Sequence, residues 1–288
     1  MIKAIFTNIK NENRYLEEWI NWHIKLGFNK FILFEDYDSV SHLDIINKYA
    51  NIINIDFYDY VLKKDSIEFK DITCFKYILE NYNNIDWIIK LDPDEYISLP
   101  NEMTIDDLLY NVRENINQIT IDWKIYNANG FINCPYGGKY SLVNTYLDYI
   151  DVENFVNDFD LNISNNEYDW GKTILRYKYF YQNYRYAFDT VISTNYPYQF
   201  YVDEENSILD ATKKYGAYIN HYMTKSFEEF YFKLTNKGDY RKNYRKLGDF
   251  FKINPDMIKD IPMIEEEYKI NVFNQKTKLN FKAEEDDN

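Results

Sequence analysis

The sequence predicts an α/β fold, a mostly parallel twisted sheet flanked by helices, with a smaller antiparallel region and C-terminal helices. Three observations carry that expectation. Short apolar runs alternate with stretches of helical periodicity up to residue 91, in the order β-α-β-α-β-α-β, which folds as a parallel sheet with right-handed crossovers. Polar clusters stand at the carboxyl ends of three of these runs, at Thr7-Asn8, Glu35-Asp36 and Asp92–Asp94, and ligands in such sheets bind beyond the carboxyl ends of the strands. Three later runs, 172–180, 190–193 and 217–222, read as strands of a more antiparallel region.

Residues 2–7 read as the first strand, followed by the loop Asn8–Glu12. Tyr15, Leu16, Trp19, Ile20, His23, Ile24 and Leu26 then recur at helical spacing, with Gly27 as the C-terminal cap. His23 lies on that apolar stripe and is expected to pack rather than react. Residues 30–35 form the second strand, 42–49 a short helix and 52–57 the third strand. Ile72, Phe75, Leu79 and Tyr82 mark a helix leading into Trp87-Ile88-Ile89, a buried run that stops on Asp92-Pro93-Asp94-Glu95. Proline cannot donate to a ladder and holds the residue before it extended. Alternation along an extended chain points Asp92 and Asp94 the same way. Carboxylates at a buried strand end need a cation, water or backbone donors to compensate them. Two hard oxygen donors suit Mg²⁺ or Mn²⁺, ions that also take substrate phosphates; the rival reading is a solvated acidic loop.

Thr104 with Asp107 opens a further helix, and residues 118–123 form a strand ending at Asp122-Trp123. The acidic, Asn-rich stretch 151–170 reads as a surface loop and a candidate substrate lid, and the charged tail from Lys276 as disordered past about Phe281. His221 ends a strand just before Ser226 and Glu229, a capping box that opens a helix. A helix N-terminus favours anions and Lys225 stands beside it, so this segment is a candidate phosphate site. A neutral His221 imidazole could complete the cation site begun by Asp92 and Asp94; the bland alternatives are a satisfied partly buried histidine and a solvated lysine.

Composition narrows the function classes. The chain has 288 residues and a net charge of −14, from 47 acidic against 33 basic residues, the reverse of a nucleic-acid protein's basic footprint and no attraction for anionic lipid. Cys74 and Cys134 lie far apart without metal-ligand spacing, which fits a reducing compartment. The N-terminal apolar run is too short for a signal peptide, and no stretch reaches the about 18 apolar residues of a membrane span. The simplest placement is cytoplasmic, with peripheral membrane association left open.

The motifs, taken in order, resemble a known family. Asn11-Glu12, Tyr15-Leu16-Glu17-Glu18-Trp19, His23 and Leu26-Gly27-Phe28 are similar to the opening of the family-92-like glycosyltransferases (the DUF23 group), relatives of family 2. The acidic strand end Asp36 to Ser39, the block Asp92–Tyr96, the strand tryptophan Trp123 and the strand Lys172–Arg176 follow in family order. His221, Tyr222, Lys225, Ser226, Glu228, Glu229, Phe230, Lys233 and Gly238 close the pattern, so the resemblance spans roughly 4–255. Two departures, Ile125-Tyr126 for the family's Phe-Gly and Pro197-Tyr198 for its Pro-His, fall in the acceptor half.

The resemblance implies a GT-A fold over 1–255, with a nucleotide-binding half at 1–100 and an acceptor-side half at 101–225, followed by a C-terminal extension at 256–288. It implies a hexosyltransferase that moves a sugar from a nucleotide-sugar donor, UDP-linked by analogy, to a saccharide, glycan or glycolipid acceptor in polysaccharide biosynthesis. Mn²⁺ or Mg²⁺ would be held by Asp92, Asp94 and His221. Thr7, Asn8, Asn11, Glu12, Asp36, Asp92 and Lys225 would bind the donor. Trp123 and Trp170 would face the acceptor. Inverting transfer needs a base for the acceptor hydroxyl, for which Asp169 ranks before Asp122. The rivals are a nucleotidyltransferase, whose Gly-rich basic loop is missing from Asn8–Glu12, and a non-catalytic carbohydrate-binding or degenerate module.

Overall fold

The apolar runs and amphipathic stretches become regular elements in the computed structural model, which describes residues 1–62, 70–110, 112–135, 140–150, 171–178, 208–236, 247–259 and 261. In chain order these are β1 (Lys3–Ile9), α1 (Leu16–Leu26), β2 (Lys30–Asp36), α2 (Leu43–Tyr49), β3 (Asn54–Leu62), α3 (Lys70–Asn81), β4 (Trp87–Lys90), β5 (Glu95–Ser98), α4 (Ile105–Tyr110) and β6 (Gln118–Tyr126). Then come α5 (Leu142–Thr145), β7 (Tyr149–Ile150), β8 (Gly171–Arg176), β9 (Ile208–Asp210), α6 (Ala211–Tyr215), β10 (Tyr218–His221), α7 (Phe227–Asn236), α8 (Leu247–Ile253) and a 3₁₀ turn, Pro255–Lys259. The chain groups into two compact units, Met1–Lys124 with Asn162–His221, and Ile125–Leu161 with Tyr222–Asn288.

The first unit carries the sheet, in the order β3-β2-β1-β4-β8-β6-β10-β5. β3, β2, β1 and β4 are parallel neighbours, as the alternation of strands and helices predicts. Beyond β4 the sense changes: β8 runs antiparallel to β4 and to β6, and β10 antiparallel to β5. Mixed α/β architecture, with a parallel half and an antiparallel half, therefore matches the sequence expectation. Every residue of β2 is buried, the mark of a strand covered on both faces. Ala4, Phe6, Ile32, Phe34, Cys74, Ile78 and Leu175 form one apolar cluster, the α3 face packed on the parallel half.

Several strand bounds differ from the sequence reading, and one strand is new. The third strand runs Asn54–Leu62 rather than 52–57. The strand starting at residue 171 ends at Arg176. A strand that the sequence reading does not contain, β5, follows the acidic turn and pairs with β10 through Ile219↔Ile97 and His221↔Glu95. The strand expected at 190–193, the lid expected at 151–170 and the tail from Lys276 lie outside the described residues.

In the second unit, Ala128, Phe230, Phe250, Phe251 and Met257 form a separate core, and Asn254 accepts from the Ala128 backbone N–H at 2.5 Å.

Candidate functional site

Two acidic strand ends lie in the first unit, and each is compensated differently. At the ends of β1 and β2 the central residue is His42. It is fully buried, its Nδ1 lies 2.7 Å from Glu35 Oε1, and its Nε2 accepts the Glu12 N–H at 2.9 Å. A carboxylate only accepts, so His42 carries its proton on Nδ1. The Glu12 carbonyl accepts from Tyr15 and Leu16 N–H at the start of α1. Asn11 has a left-handed backbone, φ 54°. Its side-chain oxygen accepts the Val40 N–H at 2.8 Å, and its own N–H donates to Ser39 Oγ at 2.9 Å. Asn11 therefore ties the β1–α1 loop to the segment after β2 and does not cap α1. Thr7 is fully buried with its hydroxyl toward the Asn8 carbonyl, whereas Asn8 and Asn11 are half-buried. Asp36 is buried at the end of β2.

The segment Asp92–Glu95 follows β4 and runs into β5, and α1 fixes it. Trp19 Nε1 donates to the Glu95 carbonyl at 2.9 Å and Trp22 Nε1 to the Ile97 carbonyl at 2.8 Å, so two indoles one helical turn apart hold β5. His23 Nδ1 lies 2.8 Å from the Trp19 carbonyl, and Nε2 accepts the Ile97 N–H at 3.4 Å. Burial drives its pKa down to about 3, against the Trp19 hydrogen bond. His23 is neutral and structural, as its place on the apolar stripe predicts.

The carboxylates of this segment are not equivalent. Asp92, one-third exposed, meets Lys90 Nζ at 2.5 Å through Oδ1 and Lys172 Nζ at 3.2 Å through Oδ2. Glu95, fully buried, lies 3.3 Å from the same Lys172 and accepts the Asp92 N–H at 2.9 Å. Burial opposes ionisation of Asp92, but the Lys172 and Lys90 ammoniums outweigh it and hold the carboxyl below the ordinary carboxylate range. Burial pushes Glu95 up to about 7; the Lys172 charge opposes this and the Asp92 charge adds to it. Asp94 is different: it is buried, and its Oδ1 lies 3.8 Å from His221 Nε2.

A divalent cation binds such donors at about 2.0–2.2 Å, which places two donors of one ion about 3–4 Å apart. Asp94 and His221 meet that spacing and supply an anionic oxygen and an imidazole nitrogen. Asp92 is committed to two lysines, and among the described residues no three His, Cys, Asp or Glu side chains converge on one point suited to a metal ion. The structure thus brings together Asp94 and His221, with Asp92 beside them in ion pairs.

Trp123 and Asp122 adjoin on β6 and meet different neighbours. The Trp123 ring lies 4.9 Å from the His221 ring and 5.5 Å from Lys172 Nζ. The Asp122 N–H donates to Thr212 Oγ1 at 2.8 Å. Burial and the charge of Asp210 raise its carboxyl pKa, opposed by Lys213. Alternation along the strand thus gives Trp123 to the Asp94–His221 group and turns Asp122 away from it. Asp169 and Trp170 lie outside the described residues.

In the second unit the capping box read from the sequence is formed. The Ser226 hydroxyl donates to Glu229 Oε2 at 2.7 Å and accepts the Glu229 N–H at 3.3 Å. Tyr140 and Tyr146 hydroxyls also donate to Glu229, at 2.7 and 3.0 Å. Lys225, one residue before this cap, is 1% exposed with φ 54°, not a solvated surface lysine.

Three residues went unnoticed in the sequence as parts of this site. His42 joins positions 30 residues apart, Lys172 reaches an acidic segment 80 residues upstream, and Trp22 acts through its indole N–H. Only the resemblance singled out Lys172, and without a role.

No family model matches the chain. It is similar to a glycosyltransferase family 92 protein of Oryza sativa subsp. japonica, 23% identical over 138 residues, covering 47% of this chain and 23% of that protein. A glycosyltransferase family 92 protein of Ricinus communis is 21% identical over 138 residues, covering 47% of this chain and 24% of the relative. The match thus spans about a quarter of the length of the curated relatives. Among solved structures, the crystal structure of S. aureus TarS 1–349 matches with a TM-score of 0.44 and 16% identity, over 80% of this chain and 63% of that one.

Proposed function

Taking the likeness to family 92 glycosyltransferases as the premise, we propose that this protein transfers a sugar from a nucleotide-sugar donor, UDP-linked by analogy, to a saccharide, glycan or glycolipid acceptor, with the help of Mn²⁺ or Mg²⁺. The observation that supports this best is the pair Asp94 Oδ1 and His221 Nε2, buried and 3.8 Å apart beyond the end of a buried strand. Asp94 and His221 would hold the cation, which supplies Lewis-acid neutralisation of the departing diphosphate. Asp92, held by Lys90 and Lys172, would act through water or toward the ribose. Asn8 and Asp36, at the carboxyl ends of β1 and β2, would meet the nucleoside, while Asn11, Glu12 and His42 keep their loop in shape. Trp123 would offer a ring face to a sugar.

Lys225 would meet a phosphate at the start of α7. Lys225 stands one residue before the capped start of that helix, where backbone N–H groups and the helix dipole favour an anion. Such a charge-assisted bond contributes on the order of 1.5–3 kcal/mol, so Lys225→Ala should weaken UDP at least tenfold by calorimetry. For inverting transfer, Asp169 is the base we propose, since Asp122 faces Thr212 and Asp210. Asp169→Asn should slow transfer by roughly 10²–10⁴ with UDP affinity unchanged.

The deciding experiment is donor hydrolysis followed by release of nucleotide diphosphate. Wild type should need Mn²⁺ or Mg²⁺ and lose activity in EDTA. Asp94→Ala should abolish the metal-dependent rate while the protein still melts cooperatively. Full activity in EDTA, or in Asp94→Ala, overturns the cation reading. A panel of nucleotide sugars names the donor.

A further inference from the structure

Lys172 stands where a lone buried cation would be hard to keep. Its side chain is 2% exposed, and its ammonium lies 3.2 Å from Asp92 and 3.3 Å from the fully buried Glu95. The backbone is shaped to deliver it there. Gly171 lies so close to β6 that a Cβ on it would sit 2.2 Å from the Ile121 carbonyl oxygen, so only glycine fits. The register that follows, Asp122↔Gly171 and Ile121↔Lys172, fixes the point from which Lys172 reaches across to the acidic segment. The Trp123 ring, 5.5 Å from the ammonium, lies against it.

We propose that Lys172 is a positioning residue, a built-in counter-cation that keeps Asp92 and Glu95 out of the metal's coordination shell, so that Asp94 and His221 alone hold the ion. The inference rests on the reading of Asp94 and His221 as a cation site. Three carboxylates within four residues would otherwise form a strong trap for a divalent ion. With two of them answered by lysine charge, the protein contributes only two donors. The remaining positions fall to water and to diphosphate oxygens, the usual arrangement for Mg²⁺ and Mn²⁺ with phosphate substrates. Lys172 thereby makes cation binding depend on the nucleotide. Asp92 and Glu95 stay fixed outside the metal's coordination shell, and the ion can leave with the product.

The test uses Mn²⁺ alone as the probe, titrated calorimetrically into nucleotide-free protein and again with UDP present. Wild type should bind Mn²⁺ weakly alone and at least tenfold more tightly with UDP. Lys172→Gln should bind Mn²⁺ alone at least tenfold more tightly than wild type, because a repelling charge is gone and Asp92, left with Lys90 alone, has its Oδ2 available as a third donor. Lys172→Arg, which keeps the charge, should stay within threefold of wild type. A purely structural role predicts the opposite, a looser site in Lys172→Gln. An unchanged or weaker Mn²⁺ affinity in a cooperatively melting Lys172→Gln protein overturns the proposal. Should that variant not fold, Asp92→Asn decides: its Mn²⁺ affinity should remain within threefold of wild type, and a loss as large as that of Asp94→Asn overturns the proposal. If wild type binds Mn²⁺ neither alone nor with UDP, the cation-site reading fails and this inference with it. If wild type binds and only the Lys172 variants disagree, the cation-site reading survives.

Discussion

The ends of β2 and β4 carry almost the same problem, a cluster of carboxylates at the mouth of a buried strand, and answer it in opposite ways. At β2, Glu35 is met by the His42 imidazole and by the His42 N–H, 2.7 and 2.8 Å away. The same ring accepts the Glu12 N–H. At β4, Asp92 and Glu95 are met by two lysines. Hydrogen bonds to an imidazole are directional and fix a loop's shape; they suit a surface that must recognise one outline. Lysine charge is compact and close to isotropic, and it sets how strongly a site attracts another cation. The first strand end is thus built to hold a shape and the second to hold a charge balance.

Removing the imidazole should have the largest effect on stability. His42→Phe leaves the buried Glu35 carboxylate short of a donor and the buried Glu12 N–H without its acceptor. Each orphaned group costs about 1–3 kcal/mol, so a loss of about 3 kcal/mol is expected in urea unfolding. UDP affinity should fall with it, since the Asn8–Glu12 loop loses its anchor. A His42→Phe protein as stable as wild type would mean that the shape-holding role belongs to other residues.

The third histidine of the first unit sharpens the contrast through pH. The folded pKa of His23 is about 3, below its ordinary 6.5, so the unfolded chain takes up a proton that the folded chain refuses. His23 therefore favours the fold fully above pH 6.5, and that advantage is lost as pH falls toward 3. At about 1.36 kcal/mol per pH unit, the loss at pH 5 is about 2 kcal/mol. Glu95 runs the other way: its pKa is raised to about 7 from the ordinary 4.5, so its advantage is present below 4.5 and lost as pH rises through 7. Comparing wild type with His23→Gln by urea unfolding at pH 7 and pH 5 isolates the first contribution. The variant should lose about 2 kcal/mol less than wild type over that interval. Parallel losses would show that His23 is not the acid-sensitive group.

A smaller effect is expected from the indoles that hold β5 in place. Trp22→Phe removes the N–H that meets the Ile97 carbonyl in a partly exposed place. One hydrogen bond of that kind contributes about 1 kcal/mol. The stability loss should be near that value, and Mn²⁺ affinity should fall with it if β5 positions Asp94. An unchanged Mn²⁺ affinity would detach the proposed cation site from the α1 brace.

Which of these features the sequence discloses follows from the range over which they act. β1, α1, β2, α2, α3 and β4 rest on local periodicity, and Gly27 and the Thr104–Asp107 and Ser226–Glu229 caps on contacts within a few residues. All were legible. β5 was not, because four residues after a proline form a strand only through pairing with β10, more than 120 residues later. The acidic segment was legible as a candidate cation site. That Asp92 belongs to Lys90 and Lys172 while Asp94 faces His221 was not, because alternation treats the two aspartates alike. Where Asp122 faces was not legible either; its contact with Thr212 and that of Trp123 with His221 define it.

The last test probes the shape-holding end at Asn11, a half-buried residue of its loop. Asn11 sits at φ 54° and spends its side-chain oxygen on the Val40 N–H. Asparagine tolerates that backbone conformation, and glycine adopts it without cost to the folded state. Asn11→Gly therefore keeps the backbone but loses one exposed hydrogen bond and gains disorder in the unfolded chain. The sum should be under about 1.5 kcal/mol. Asn11→Ala adds the strain of a Cβ at positive φ, about 1 kcal/mol more. If Asn11 only braces the loop, the glycine variant should bind UDP within threefold of wild type, and the alanine variant should bind less well than the glycine variant. A direct contact with the base predicts something else: equal and larger losses in both, because the amide is missing from each. The ratio of the two dissociation constants, rather than either value alone, separates a residue that holds the outline from one that reads the ligand.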